Sequence, residues 1–316
     1  MISFIDKTLR RAERFFLEPR VPRTGFAVAR GRLDGLVMAA KERTTAAHVS
    51  LELPPGTIDP SFDRPNVAGT RAFEDKLREA ARRLGLAGAD ILVLLPESCY
   101  KAYVLAFEEF PSSSREREEI LEHRLTKLLP LRPADTRLSY DVFSSAGKTK
   151  VFLALARAAI IDEYERLFAR LDLRVRTVSL PSLGLLPCVR EAEDRTVLIV
   201  NLEEDSIGLL AATGRDIALY RFKPFLQEAS APASGAARLA QAVTEIQNTL
   251  HFLEDHEGRS ADVLYLRGLL PGSGGDGVAA FRERLSIPVK PIEAPFPISA
   301  GGTERAALAA LMGHLS

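Results

Sequence analysis

The run Thr196-Val197-Leu198-Ile199-Val200-Asn201 decides the fold. It is a continuous apolar strand, the pattern of a strand buried on both faces. Ser206 to Ala212 and Asp216 to Phe222 follow it as a meander, with Gly214 at the turn between them. The same order stands near the start of the chain. There, Thr24 to Arg30, Leu36 to Ala40 and Ala46 to Leu53 are short extended runs separated by Gly, Asp and charged residues. Each meander gives way to alternating helices and strands. After the first come a loop carrying Pro54, Pro55, Pro60 and Pro65, a helix with Phe73, Leu77, Ala80, Ala81 and Leu84 on one side, and a strand from Asp90 to Leu95. After the second, Leu239, Val243, Ile246, Leu250 and Leu253 mark a long helix whose stripe is too short for a coiled coil and reads as core. Strand Asp262 to Leu266, a glycine-rich loop, helix Gly277 to Leu285, the run Ile287 to Val289 and a terminal helix Glu304 to His314 close the chain. This is a duplicated α/β architecture.

Between the halves lies extra material. Cys99 to Phe107 alternates like a strand, and Ser112, Ser113 and Ser114 offer N-caps for a helix striped by Leu121, Leu125 and Leu128 and stopped by Pro130. A hairpin of Thr136 to Phe143 and Lys150 to Ala156, then a helix from Ile160, complete a βαββα module. The expected organisation is an N-terminal helix at 1–22, a first domain at 23–96 and 173–194 to which the terminal helix 302–316 returns, an inserted subdomain at 97–172 and a second domain at 195–301.

Composition narrows the classes. Lys+Arg 42 against Asp+Glu 42 gives the chain no global attraction to nucleic acid or an anionic membrane. Cys99 and Cys188 are too few for a disulfide framework or a cysteine zinc site, which indicates a reducing compartment. No apolar run approaches the roughly 20 residues of a membrane span, so the expectation is a cytoplasmic protein. Charge is locally uneven, because Lys7, Arg10, Arg11, Arg14, Arg20 and Arg23 outnumber Asp6, Glu13 and Glu18. Ile2, Ile5, Leu9, Ala12 and Phe16 share one helical face there, so this segment either lies on a membrane surface or packs on its own domain.

No catalytic constellation stands out. Gly147-Lys148-Thr149 lacks the upstream glycine of a P-loop, with Val142 in its place, and joins two strands. The small-residue run 271–277 follows a strand and precedes a helix, but has no Lys or Arg to neutralise phosphate. His251 and His256 are five apart, not the four that put two ligands on one helix face. Neither cysteine has a basic neighbour to activate it.

An ordered set of short stretches is more specific. Leu95-Pro96-Glu97-Ser98, Phe110-Pro111, Glu118-Glu119-Ile120, Lys127-Leu128-Leu129-Pro130 and Ser139-Tyr140-Asp141-Val142 are followed by Thr196 to Asn201, Glu245-Ile246-Gln247-Asn248-Thr249-Leu250-His251-Phe252 and Asp262-Val263-Leu264-Tyr265-Leu266-Arg267-Gly268. In order and spacing they resemble the PilM family of type IV pilus assembly proteins, over nearly the whole chain after Pro22. The resemblance implies an actin-like two-domain fold related to FtsA, with the insert as the family's extra subdomain. It also implies a partner, the cytoplasmic N-terminus of a PilN-like bitopic inner-membrane protein, held in a groove beside the insert. Phe107, Phe110, Leu121, Leu125 and Tyr140 are candidate lining residues, each equally readable as insert core. Lys7, Arg10, Arg11 and Arg14 are the candidate contact with the inner leaflet.

ATP would be expected between the domains, yet every nucleotide-contacting segment departs from the family pattern. Ala27 and Ala29, with Arg30 next, stand where an Asp-x-Gly turn would position metal and phosphate. Asn201-Leu202-Glu203-Glu204-Asp205-Ser206 replaces the second phosphate loop. Its carboxylates would repel phosphate by about 4 kcal/mol per unit-charge pair at 4 Å and an effective dielectric of 20. Arg267-Gly268-Leu269 puts bulk where a purine would lie. The expectation is therefore a scaffold with a degenerate site and no cofactor. The alternative is a working ATPase in which Arg30 or Arg267 binds phosphate and the acidic loop recruits Mg²⁺. A GspL-like cytoplasmic domain is the third reading, and such a chain would continue past Leu315-Ser316 into a span.

Overall fold

The computed structural model describes residues 21–39, 44–129, 132–145, 148–189, 191, 194–214, 216–225, 235–268, 277–298 and 302–315. The basic helix expected at 1–22, with Lys7, Arg10, Arg11 and Arg14, falls outside them but for its last two positions, as do Gly147, Leu269 and 271–276.

The first sheet contains β1 (Thr24–Ala29), β2 (Arg32–Met38), β3 (Thr45–Glu52), β4 (Ala89–Leu94) and β8 (Leu173–Ser179), in the order β3-β2-β1-β4-β8. β1 to β3 are antiparallel, while β4 and β8 run parallel to β1. The second sheet repeats this plan with β9 (Thr196–Leu202), β10 (Ser206–Thr213), β11 (Asp216–Pro224), β12 (Val263–Arg267) and β13 (Val289–Pro291), in the order β11-β10-β9-β12-β13. Gly214 takes φ +59° at the β10–β11 turn, a conformation that favours glycine.

β9 is buried along its whole length because both faces are covered. Leu198, Val200 and Leu202 pack with α5 (Gly235–Glu257) and α6 (Gly277–Arg282). Val197 and Ile199 turn the other way, into the core that also holds the first sheet, α4 (Pro181–Leu185) and α7 (Gly302–His314). In α5, Val243, Ile246 and Leu253 are buried against the second sheet with Leu239 and Leu250 beside them, so the stripe is core. α1 (Thr70–Arg83) buries Phe73, Leu77, Ala80 and Ala81. It ends where Gly85 adopts φ +66° and the Leu86 and Gly85 amides donate to Ala81 and Arg82 carbonyls.

The stretch 97–172 divides between two cores. β5 (Lys101–Phe107), β6 (Thr136–Ser145) and β7 (Lys148–Arg157) form a sheet in the order β5-β7-β6, with α2 (Ser114–Leu128) on one face. The helix expected to complete the insert, α3 (Ala158–Ala169), instead buries its apolar side in the first core: the Phe168 ring lies 5.4 Å from Phe26, and Tyr164 lies 6.4 Å from Phe73. Its stripe is strongly apolar, and the first sheet offers a larger apolar face than the small one. No helix among the described residues is long and apolar enough to cross a membrane.

Candidate functional site

The two sheets present equivalent turns to each other across a cleft of about 320 Å³. Its walls are the end of β1 (Val28, Ala29) with the β1–β2 turn (Arg30, Gly31), the β9–β10 turn (Glu203, Glu204, Asp205, Ser206), the end of β12 (Arg267, Gly268), and Ala306 and Ala307 of α7. Three arginines, Arg30, Arg32 and Arg267, face four carboxylates, Glu52, Glu203, Glu204 and Asp205. Ala27 is not among them. It is 9% exposed in the first core, paired with Asp34 and Leu94 of the flanking strands, which corrects its assignment to the site.

Arg30 spans the cleft mouth. Its Nε and Nη2 both lie 2.8 Å from Asp205 Oδ2 on the opposite wall, and Nη1 donates to Asp59 Oδ1 at 2.9 Å on its own side. Partial burial lowers the Arg30 pKa, but the two carboxylates outweigh it and the group stands above its ordinary value. Asp59 comes from the proline-rich loop, which is tied down around Asn66. The Asn66 and Val67 amides donate to the Glu163 carboxylate at 2.7 and 3.1 Å, the Asn66 side chain bonds the Ser61 and Arg64 carbonyls, and Cys99 Sγ donates to Asn66 Oδ1.

Arg267 crosses in the opposite direction and is 6% exposed. Nη1 donates to Asn201 Oδ1 at 2.6 Å and Glu203 Oε1 at 2.5 Å, while Nε and Nη2 reach the Ala306 and Ala307 carbonyls at 3.0 and 3.2 Å. Asn201 passes the network inward, donating from Nδ2 to Glu97 Oε1 at 3.1 Å. Glu97 follows Pro96 at the end of β4, and is 2% exposed. Its Oε1 also accepts the Ser182 amide at 2.9 Å and the Ser182 hydroxyl, and Oε2 accepts Tyr220 Oη at 3.0 Å. Burial pushes the Glu97 carboxyl above its ordinary value, partly opposed by the bonds from Ser182, Tyr220 and Asn201. The sequence shows Glu97 inside a motif without indicating a role for it, and it does not single out Asp59, Ser182 or Tyr220. The one available signal is an acidic residue directly after an apolar strand and a proline.

These residues fit a nucleoside triphosphate poorly. A phosphate site needs free N–H donors or cations, and here both cleft-spanning guanidinium groups are hydrogen-bonded to protein oxygens. Two of the three acidic residues expected to repel phosphate, Glu203 and Asp205, are not bare charges. Asp205 is paired with Arg30 and Glu203 with Arg267, so the obstacle is occupancy by arginine. Gly268, at φ +103°, packs against the Leu202 backbone so closely that no Cβ would fit, which seals the floor. Among the described residues no cluster of three His, Cys, Asp or Glu is placed to hold a metal ion.

A second concavity, about 330 Å³, lies between the small sheet and the first half. β6 and β8 are edge strands of their sheets, and residues 137–141 of β6 and Val175, Arg176, Val178 and Ser179 of β8 line it, with Tyr100, Phe152 and Leu183. On the other face of β6 a further pocket of about 190 Å³ is lined by Leu125, Leu129, Leu138, Tyr140 and Leu155. Leu125 and Tyr140 line this pocket. Phe107 and Leu121 do not: at 8% and 0% exposed they are core of the insert, buried under α2. The Phe110 ring lies 4.8 Å from that of Phe107, tilted by 44°, with Arg117 over it.

No protein-family model matches the sequence, and no curated protein matches it. Solved structures do. The PilM-PilN type IV pilus biogenesis complex is 17% identical, with a TM-score of 0.76 over 94% of this chain and 98% of that one. A Bacteroides thetaiotaomicron protein with an actin-like ATPase fold is 9% identical, with a TM-score of 0.52 over 84% and 90%. The cytoplasmic domain of EpsL, an inner-membrane component of the Vibrio cholerae type II secretion system, is 14% identical, with a TM-score of 0.51 over 91% and 94%. The fold is actin-like.

Proposed function

We propose that this chain is a cytoplasmic, actin-like scaffold of a type IV pilus or related secretion machine, which holds the extended tail of a PilN-like bitopic inner-membrane protein without turning over nucleotide. The observation that carries the reading is the open edge of β6, flanked by a pocket on each face. A strand added to that edge places alternate side chains on opposite faces, so one parity enters the 330 Å³ cavity and the other the 190 Å³ pocket. Main-chain bonds supply affinity and the pockets supply specificity. The greater likeness to the PilM-PilN complex than to EpsL supports a PilM-like role. The basic segment with Lys7, Arg10, Arg11 and Arg14 adds a contact with the anionic inner leaflet.

The test uses the full chain and a synthetic peptide of the N-terminal cytoplasmic tail of a PilN-type protein encoded beside it. Wild type should bind; Leu125→Asp and Leu138→Asp, checked for unchanged melting, should lose binding at least about tenfold, the ratio given by 1.4 kcal/mol. Retained binding in both variants moves the tail to another surface. In the same preparations Mg-ATP should leave the melting temperature unchanged, since a ligand specific to the native state raises it. A shift of several degrees favours the nucleotide-regulated ATPase instead. Deleting residues 1–18 should abolish flotation with anionic liposomes.

A further inference from the structure

We propose that Arg30 is a built-in latch, holding the mouth of the cleft between the two actin-like halves closed through Asp205 in place of a ligand bridging it. The inference deepens the nucleotide-free reading of this cleft and rests on the same residues.

Three features of the geometry support it. First, the contact joins opposite walls: Arg30 sits on the β1–β2 turn of the first half, and Asp205 on the β9–β10 turn of the second. Second, the guanidinium is held from behind. Asp59 accepts Nη1, Arg64 approaches the other Asp59 oxygen at 3.4 Å, and the loop bearing Asp59 is braced by Glu163 and Cys99. A planar cation fixed between two carboxylates loses less freedom on pairing than a free surface arginine. Third, a second arginine crosses the other way, from Arg267 on β12 to the α7 carbonyls that pack with the first half. The two differ in access. Arg267 is nearly sealed, whereas Arg30 and Asp205 keep 35% and 21% of their side-chain surface. The Arg30 pair is thus open to salt and to competition, and it is the element that can release.

Small-angle scattering of the full chain without nucleotide tests this. Wild type in low salt should have the compact radius of gyration expected at this length, roughly 20 Å. Arg30→Asp and Asp205→Arg should each raise it by roughly 1 Å, and the double variant should return it to the wild-type value. Wild type in 1 M salt should open like the single variants, because the screening length there is about 3 Å. Single variants that scatter like wild type overturn the latch, and so does a double variant that stays open. If either reversal loses its circular dichroism, Arg30→Gln decides: opening with an intact spectrum supports the latch, and an unchanged radius overturns it. An Mg-ATP melting shift in the wild type would sink the nucleotide-free reading while leaving the scattering result to stand by itself.

Discussion

Glu97 shows how much one residue can carry at the joint between the halves. It stands at the first position of the stretch expected as the insert, and Ser182, Asn201 and Tyr220 meet on it from α4, β9 and β11. Asn201 in turn binds Arg267, so a single carboxyl group links the floor of the cleft to the interior. An unpaired buried charge is costly, and burial raises the pKa of this group above its ordinary 4.5. The folded state therefore holds the proton more tightly than the unfolded chain does. Its contribution to stability is fully present below about pH 4.5 and is lost as pH rises through the folded value, by about 1.36 kcal/mol for each pH unit between the two. Glu97→Gln keeps an acceptor for Ser182 and Asn201 without a titrating proton. Melting temperatures of wild type and variant should run closest near pH 4, and the variant should gain as pH rises above about 4.5, until the folded carboxyl ionises. A gap that does not change with pH would mean that the carboxyl is not held protonated in the fold.

Among the elements, α7 is the one whose placement the cleft depends on. It supplies the two carbonyls that receive Arg267, and it is positioned by close backbone contact with α4. A Cβ on Gly184 of α4 would fall well inside contact distance of the Ala310 carbonyl, and one on Gly313 would strike the Gly184 carbonyl in return. Gly184→Ala should therefore cost about 1–3 kcal/mol. Gly31→Ala, where the added atom meets nothing nearer than Glu204 at 3.8 Å, should stay within about 0.5 kcal/mol of wild type. Equal losses of denaturation midpoint in the two variants would refute the close-packing account of α7. What is legible in the sequence at this scale follows the same physics. Strands such as Thr196 to Leu202 announce themselves because burial on both faces demands an unbroken apolar run. The apolar stripe of α3 says that the helix is buried but not under which sheet, so its place in the chain suggests the insert although it packs on Phe26 and Phe73. The cleft turns are legible from their place in a duplicated pattern. Their pairing is not, since Asp59 looks like any acid in a proline-rich loop until the fold brings it to Arg30.

At the scale of the whole molecule, two kinds of contact hold the halves together. Around the cleft they are polar and directional, made by Arg30 to Asp205, Arg267 to the α7 carbonyls and Glu97 to Tyr220. Behind it they are apolar: Val197, Ile199, Leu210, Ala212, Val263 and Tyr265 of the second sheet share one continuous core with Phe26, Leu92, Leu185 and Leu311. Apolar burial at about 25 cal/mol per Å² is a strong and non-directional tie, so neither half can melt without exposing a face of the other. Chains longer than about 150 residues often unfold through intermediates when their domains have separate cores. Here the shared core predicts one calorimetric transition for the full chain, with the calorimetric and van't Hoff enthalpies equal within error. Arg30→Asp, which loosens only the mouth, should shift that transition without splitting it. Two resolved peaks in the wild type would show that the halves are independent bodies joined at a hinge.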